Sequence, residues 1–172
     1  MTIKRIVKNG ILLALMCAVG MFSIPFGENI KVTLQLFMVL LIFYFRDNLL
    51  DKLIISGLYL LLGLFLPVYA GFQAGITPTF GFVLGFFLCA APFHFVSKIN
   101  KDSILIQILA NLVALLVVYL AGTLFFMFYL NRPFMDAVMI TIVPYFGIDL
   151  IKIFLVIFIT REKRLVELMN EQ

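Results

Sequence analysis

The sequence contains few of the residues that most enzymes use. It has one histidine, His94, and two cysteines, Cys17 and Cys89, each within an apolar run. A histidine-based metal site or triad is therefore not expected, and the cysteines are expected to pack as small apolar groups rather than form a disulfide. No Walker sequence, glycine-rich phosphate loop or metal-ligand cluster is present. The sequence predicts neither an enzyme nor a resident cofactor.

Charge is also scarce. Of the 172 residues, 13% are charged and 64% are apolar, a balance that excludes an ordinary soluble domain. The apolar residues form continuous runs rather than alternate with polar ones, which excludes a transmembrane β-barrel. The remaining class is an all-α integral membrane protein, with residues 1–172 forming one domain. The net charge of +4 is attributed to membrane orientation and not to a nucleic-acid partner.

The apolar runs, separated by charged or proline-containing breaks, predict six transmembrane helices. They cover approximately residues 10–25, 32–45, 53–66, 80–97, 104–130 and 143–160. Six spans place both termini on one side of the membrane. The basic residues expected on that side are Lys4, Arg5, Lys8, Arg46, Lys52, Lys98, Lys101, Arg161, Lys163 and Arg164. Because only Lys31 and Arg132 fall on the other side, both termini are predicted to be cytoplasmic, in a multi-pass cell-membrane protein.

The last predicted span contains two ionisable residues. Asp149 and Lys152 are three positions apart, so they share a helical face and can pair. A charge in hydrocarbon costs about 2.5–3.5 kcal/mol on insertion scales, so both residues must face the interior of the bundle or a polar cavity. Two interpretations remain open. The pair either holds helices together, or it forms a ligand site with acceptors and donors side by side.

The predicted topology places this pair in the outer half of the membrane. Thr33 and Gln35, at the outer start of the second span, can face the same volume. The loop over residues 67–79 has no charge but contains two prolines and two glycines. It is either a lid over the mouth of the bundle or an interfacial turn. Aromatic residues such as Tyr145 would supply an apolar wall for a small ligand.

The first span carries a stripe of small residues. Gly10, Ala14 and Ala18 recur every four positions, a pattern that lets another helix approach closely. The spacing alone is equally consistent with packing inside the chain and with docking on another membrane protein.

Several blocks of the sequence resemble a known family. They are Ile24-Pro-Phe, Lys31-Val-Thr-Leu-Gln35, Leu66-Pro-Val-Tyr-Ala-Gly71, Thr77-Pro-Thr-Phe-Gly-Phe-Val-Leu-Gly-Phe86, and the group Tyr119, Gly122, Pro144, Asp149 and Lys152. The order of these blocks over about residues 10–160 resembles the pattern of the BioY family. The members of that family are the biotin-binding S-components of energy-coupling-factor (ECF) transporters. The resemblance implies a six-helix bundle that captures a vitamin from outside the cell. It also implies a transmembrane coupling subunit and two ATP-binding-cassette (ABC) ATPases as partners.

The resemblance further implies roles for individual residues. Ala14 and Ala18 match a motif that docks on the coupling subunit. The last span and the third outer loop hold the ligand. Together with the polar residues noted above, the expected substrate-binding residues are Asp149, Lys152, Gln35, Thr33, Gly71, Phe72, Gln73, Thr79 and Tyr145.

The sequence departs from the family pattern at the outer mouth. The loop between Ala70 and Thr77 is shorter than is usual in the family and lacks its run of glycines. Because substrate is chosen at this mouth, another cofactor such as lipoate remains an alternative to biotin. A structural membrane protein without a transport role is the alternative from a different functional class.

Overall fold

A computed structural model describes residues 2–25 and 31–162 of the chain. Within them the fold is helical apart from one short hairpin. The elements are α1 (Ile3–Gly20), β1 (Ser23–Pro25), β2 (Lys31–Thr33), α2 (Gln35–Phe45), α3 (Leu49–Phe65), α4 (Phe80–Leu88), α5 (Ala90–Ser97), α6 (Ile104–Leu130), α7 (Phe134–Thr141) and α8 (Val143–Arg161). Four residues used in the sequence predictions lie outside the described residues, namely Phe26, Gly27, Lys163 and Arg164.

The bundle has an apolar exterior and a partly polar interior. The helical segments long and apolar enough to cross a bilayer are Phe80–Ser97, Ile104–Leu130 and Val143–Arg161. Their outward faces expose large apolar side chains such as Leu116 and Phe154, whereas Asn111 and Thr123 are buried. This distribution suits a bundle surrounded by lipid, where polar groups must find partners inside the protein. The chain is a mostly helical membrane protein.

The predictions over 104–130 and 143–160 overlap α6 and α8, and the range 80–97 is divided at Cys89 into α4 and α5. The short α7 lies in the segment that was predicted as an outer connection between spans.

α1 begins earlier than the sequence predicts. It starts at Ile3 rather than near residue 10. The basic residues before position 10 resemble the flank of a transmembrane span in the sequence, but in the structure they belong to the helix and take part in its packing on the bundle. Nε of Arg5 lies 2.8 Å from Oδ1 of Asp51 on α3. Nη2 of Arg46 lies 2.8 Å from Oδ2 of the same carboxylate, and Asn9 donates to Oδ1 at 2.7 Å. These four residues, called the Asp51 cluster below, join α1 to α3 and to the end of α2.

The break between the first two spans contains a small antiparallel hairpin. Ser23 pairs with Thr33, and Ile24 pairs with Val32. The sequence predicts only an irregular break here, since Pro25 and Gly27 are punctuating residues. β-Branched residues on both sides of that break favour extended backbone, and α2 consequently begins at Gln35 rather than near residue 32.

α6 packs closely against α4. A Cβ added at Gly85 would lie 2.8 Å from Cα of Val118, so a side chain at position 85 would force the two helices apart. Gly81 lies beside Ala121 and Phe125 of α6 in the same way. The small-residue face of α4 is thus covered by α6 of the same chain. This contact brings α6 close to the helices that carry the predicted ligand-binding residues.

Charged residues connect several helix ends at one end of the bundle. Besides the Asp51 cluster, Lys101 pairs with Asp47 at 2.7 Å. Arg161, at the end of α8, donates to the main-chain oxygen of Asp102 at 2.9 Å. The beginnings of α1, α3 and α6 therefore lie at the same end as the ends of α2 and α8.

Candidate ligand-binding site

Asp149 and Lys152 form a buried ion pair on one face of α8. Nζ of Lys152 lies 2.7 Å from Oδ1 of Asp149, and the two residues are only 6% and 5% exposed. The pairing predicted from their spacing is confirmed. The hydroxyl group of Tyr119 on α6 donates to Oδ2 of Asp149 at 2.7 Å. Each carboxylate oxygen thus accepts one hydrogen bond and retains capacity for a second donor.

Local sequence explains how α8 presents this pair. Pro144 occupies the first turn of α8, where a missing N–H removes no intrahelical bond. Just before α8, Thr141 and Thr123 of α6 share a hydrogen bond of 2.8 Å. The start of α8 is therefore joined to α6 through α7, and the Asp149 contact to Tyr119 adds a second junction further along the helix. Together these contacts hold the carboxylate in a defined position.

A cavity of about 980 Å³ opens beside the pair. This is near the upper end of the usual range of about 300–1,000 Å³ for small-molecule sites. Its walls include apolar residues such as Phe82, Phe86 and Val118, and half of its lining residues are polar or charged. Such a combination of an apolar wall and fixed polar groups is typical of a ligand site.

Seven of the nine predicted substrate-binding residues line this cavity. They are Asp149, Lys152, Gln35, Thr33, Gln73, Thr79 and Tyr145. The structure brings these residues together from β2, α2, α8 and the loop between α3 and α4. Gly71 and Phe72 are not among the lining residues. Phe72 is 61% exposed and packs edge-on against Phe22, and the N–H group of Gly71 donates to the main-chain oxygen of Met21.

The loop between α3 and α4 forms one wall of the cavity and is fastened to α3. The hydroxyl group of Tyr69 donates to the main-chain oxygen of Leu60 at 2.6 Å, and the N–H group of Gly75 donates to that of Gly63 at 2.8 Å. Burial raises the pKa of Tyr69 to about 12, so this hydroxyl stays protonated near neutral pH. Because Tyr69 and Gln73 line the cavity, the structure favours the lid interpretation of this loop.

Some residues of the site were not among the sequence predictions. Tyr119 binds Asp149 directly, and Arg132, Met139 and Thr141 also line the cavity. A signal for Tyr119 existed, because a buried tyrosine within a 27-residue apolar helix needs a hydrogen-bond partner. Arg132 and Met139 gave no such signal, because the predicted topology places both in the outer loop between the fifth and sixth spans, where polar and exposed residues are expected.

The chemistry available in the cavity is that of recognition. Asp149 offers acceptor capacity, Lys152 offers N–H donors, and the surrounding hydroxyl and amide groups offer both. Among the described residues, no group of three or more histidine, cysteine and acidic side chains could hold a metal ion. The arrangement suits a small ligand that carries N–H groups and oxygen atoms beside an apolar body.

A separate surface lies on α1. Gly10, Ala14 and Ala18 are exposed, and a Cβ at Gly10 would meet nothing within 4 Å. The opposite face of the helix is buried through Leu12 and Met16. The small-residue stripe therefore faces away from the part of the bundle that the structure describes, which leaves it open to another helix.

Comparison with known proteins identifies the family. The sequence model of the BioY family matches residues 1–168. This chain belongs to the BioY family. A relative named biotin transporter BioY, from Thermotoga maritima, is 30% identical over 154 residues, which cover 87% of this chain and 89% of the relative. The family resemblance expected from the sequence blocks is confirmed.

The fold of this BioY-family chain has also been seen in a crystal structure. That structure is described as the S-component for biotin from an ECF-type ABC transporter. The TM-score is 0.81, with 95% of this chain and 94% of the other chain covered, at 22% sequence identity. The likeness shows that this BioY-family chain has the S-component fold.

Proposed function

We propose that this chain is the substrate-capture subunit, or S-component, of an ECF-type vitamin importer, and that its ligand is biotin. The observation that carries the proposal is the Asp149–Lys152 pair, which is buried in the protein and lines a cavity large enough for a small molecule. Membership of the BioY family and the relative named as a biotin transporter support the same ligand.

Biotin matches the groups in the cavity. Its ureido ring has two N–H groups and a carbonyl, and a carboxylate tail extends from an apolar bicyclic body. In the proposal Asp149 accepts ligand N–H groups, and Lys152 orients Asp149 or donates to a ligand oxygen. Phe82 and Phe86 pack against the apolar rings. The supporting contacts are assigned to Gln35, Thr33, Gln73, Thr79 and Tyr145. Biotin is then the transported ligand and not a resident cofactor.

The proposed topology has six transmembrane helices, with both termini in the cytoplasm of a prokaryotic plasma membrane. The contacts of Asp51, Lys101 and Arg161 support it, because they gather alternate helix ends at one end of the bundle. The predicted concentration of basic residues at that end supports a cytoplasmic assignment. The cavity then opens toward the outside, where the vitamin is captured.

The proposed partners are a transmembrane coupling subunit and two ABC ATPases. Docking is assigned to Ala14 and Ala18, since both are exposed on a small-residue stripe. Close helix–helix approach across such a stripe is a common way for helices to associate in lipid. In this arrangement the chain is a transport subunit and not an enzyme, and the ATPases supply the energy.

The test is the thermal stability of the detergent-purified chain with and without biotin, with lipoate as the comparison ligand. A ligand that binds only the folded state stabilises it by about 2.7 kcal/mol at a hundred times its dissociation constant. The expected result is a shift with biotin, which is lost in Asp149→Asn and kept in Asp136→Asn. Asp136 is an exposed carboxylate of α7 that does not line the cavity, so it controls for the loss of a charge.

Other outcomes would favour the alternatives. A shift with lipoate alone would mean that the altered outer mouth accepts a different cofactor. Lack of a shift with either ligand, combined with loss of folding when Asp149 or Lys152 is replaced, would favour a purely structural pair and contradict the proposal.

A further inference from the structure

Gln35, the first residue of α2, is bound to a buried tyrosine behind the cavity wall. Its Nε2 lies 2.6 Å from the hydroxyl oxygen of Tyr59 on α3. That hydroxyl lies 3.0 Å from the main-chain oxygen of Val68, at the base of the lid loop. Gln35 lines the cavity and Tyr59 does not, so Tyr59 reaches the ligand site only through its neighbours.

The direction of these hydrogen bonds follows from the groups involved. A main-chain oxygen can only accept, so the single hydroxyl hydrogen of Tyr59 is donated to Val68. The hydroxyl oxygen must then accept from Gln35, which requires the N–H end of the amide to face Tyr59. The carbonyl atom Oε1 is consequently the end that remains for other partners.

Tyr59 itself is fixed by its surroundings. It is fully buried, and its ring packs edge-on against Tyr69 with centroids 5.6 Å apart. A Cβ added at Gly20 would lie 2.5 Å from the Tyr59 hydroxyl oxygen, so the end of α1 closes the space beside it. The hydroxyl therefore has little freedom to leave Val68 or Gln35.

We propose that Tyr59 is a positioning residue that orients the Gln35 amide so that Oε1 faces the cavity and accepts a hydrogen bond from a ligand N–H group. The inference rests on the proposed capture of biotin, whose ureido ring carries such groups. It gives the cavity a fixed acceptor in addition to Asp149, on a different helix. A ligand without N–H groups, such as lipoate, gains nothing from this acceptor.

A double-mutant cycle tests the inference. The dissociation constant for biotin is measured by isothermal titration calorimetry for the wild-type chain, Tyr59→Phe, Gln35→Ala and the double variant. Loss of one neutral hydrogen bond weakens binding about two- to tenfold, so Tyr59→Phe is expected to show a loss of this size. In the Gln35→Ala background, Tyr59→Phe is expected to cause less than a twofold further loss.

Two tyrosine variants serve as controls. Tyr44→Phe removes a hydroxyl that is bound to Asn111 and does not line the cavity, and biotin affinity is expected to stay unchanged. Tyr129→Phe removes a hydroxyl that donates to the main-chain oxygen of Ile76 in the lid loop at 3.4 Å, and Tyr129 does not line the cavity. Its effect on biotin affinity is expected to be the same with and without Gln35, because it acts on the loop alone.

Two results would overturn the inference while leaving the proposed function in place. One is unchanged biotin affinity in Tyr59→Phe. The other is an equal loss in both Gln35 backgrounds, which would mean that Tyr59 acts through the fold or the lid. A wild-type chain that does not bind biotin would overturn the proposed function and this inference together.

Discussion

Two buried aspartates, at separate sites in the bundle, have opposite kinds of surroundings. Asp51 is 2% exposed and receives hydrogen bonds from Arg5, Asn9 and Arg46. Asp149 is 5% exposed and receives one from Lys152 and one from Tyr119. Both aspartates are at most 5% exposed, so burial alone does not distinguish a structural site from a binding site.

The difference lies in which groups are left without partners. In the Asp51 cluster each carboxylate oxygen accepts two hydrogen bonds, and the groups without a partner among the described residues are two donors, Nη2 of Arg5 and Nε of Arg46, and one acceptor, Oδ1 of Asn9. Beside Asp149 each carboxylate oxygen accepts one hydrogen bond and retains a lone pair, Lys152 retains N–H donors, and both residues line a cavity. A carboxylate surrounded by protein donors holds helices together. A carboxylate with remaining capacity at a cavity wall can receive donors from a ligand.

The largest expected effect concerns the stability of the Asp51 cluster. Asp51→Ala leaves two arginines without their acceptor, and breaking a buried ion pair in this way costs about 3–5 kcal/mol of folding free energy. Thermal unfolding in detergent should show this loss. Asp47→Ala is the matched control, because the Asp47–Lys101 pair is more than half exposed and should contribute less than about 1 kcal/mol. Equal effects of the two variants would contradict a structural role for the cluster.

The second effect concerns ligand binding at the other carboxylate. Asp149→Asn keeps the shape of the side chain but removes its charge, and loss of one partner of a buried charged pair weakens binding by about 2–5 kcal/mol. Calorimetry should show this loss for biotin. Stability of the ligand-free chain should change less than in Asp51→Ala, because an asparagine amide oxygen can still accept a hydrogen bond from Lys152, which lines the cavity. A larger loss of stability than of affinity would remove the distinction between the two aspartates.

A third, smaller effect concerns the exposed small-residue stripe on α1. The first turns of this helix are held to the bundle by the Asp51 cluster. Ala14→Leu places a larger side chain where another helix is proposed to approach, and overpacking of a close contact costs about 1–3 kcal/mol. Biotin binding by the isolated chain should be unchanged, whereas co-purification with the coupling subunit should fall. Leu116→Phe, at an exposed position on α6, controls for a larger side chain on the outer surface. Normal co-purification of Ala14→Leu would argue against the docking assignment.

The predictability of the two carboxylate sites from sequence follows from how far apart their partners lie. Asp149 and Lys152 are three positions apart on one helix, so their pairing is a local property of the helical repeat. Tyr119 lies thirty positions from Asp149 along the chain. That contact depends on how α6 packs against α8, which spacing along one helix does not reveal. A buried polar group in an apolar helix indicates only that some partner is required.

The Asp51 cluster was harder to predict for the same reason. Arg5 and Asp51 lie forty-six positions apart, and both fall in segments whose charge indicates a membrane surface. Only the packing of α1 on α3 shows that this charge is buried in the bundle. The α6 and α8 segments were predictable because continuous apolar runs of that length have few alternatives in lipid. The hairpin was not, since a short extended segment beside proline gives little periodicity to detect.

The smallest effect compares two tyrosine hydroxyls. Tyr119→Phe removes a single hydrogen bond to Asp149 and should weaken biotin binding by about 0.5–1.5 kcal/mol. Tyr44→Phe removes a hydroxyl that accepts from Asn111 at 2.7 Å, near the end of α2 that adjoins the Asp51 cluster. It should lower the free energy of unfolding by a similar amount without changing affinity. Calorimetry and thermal unfolding of both variants would separate binding from stability at the level of one hydrogen bond. If both hydroxyls affected affinity alike, ligand binding would depend on packing throughout the bundle, and the contrast between the two aspartates would not mark where the ligand binds.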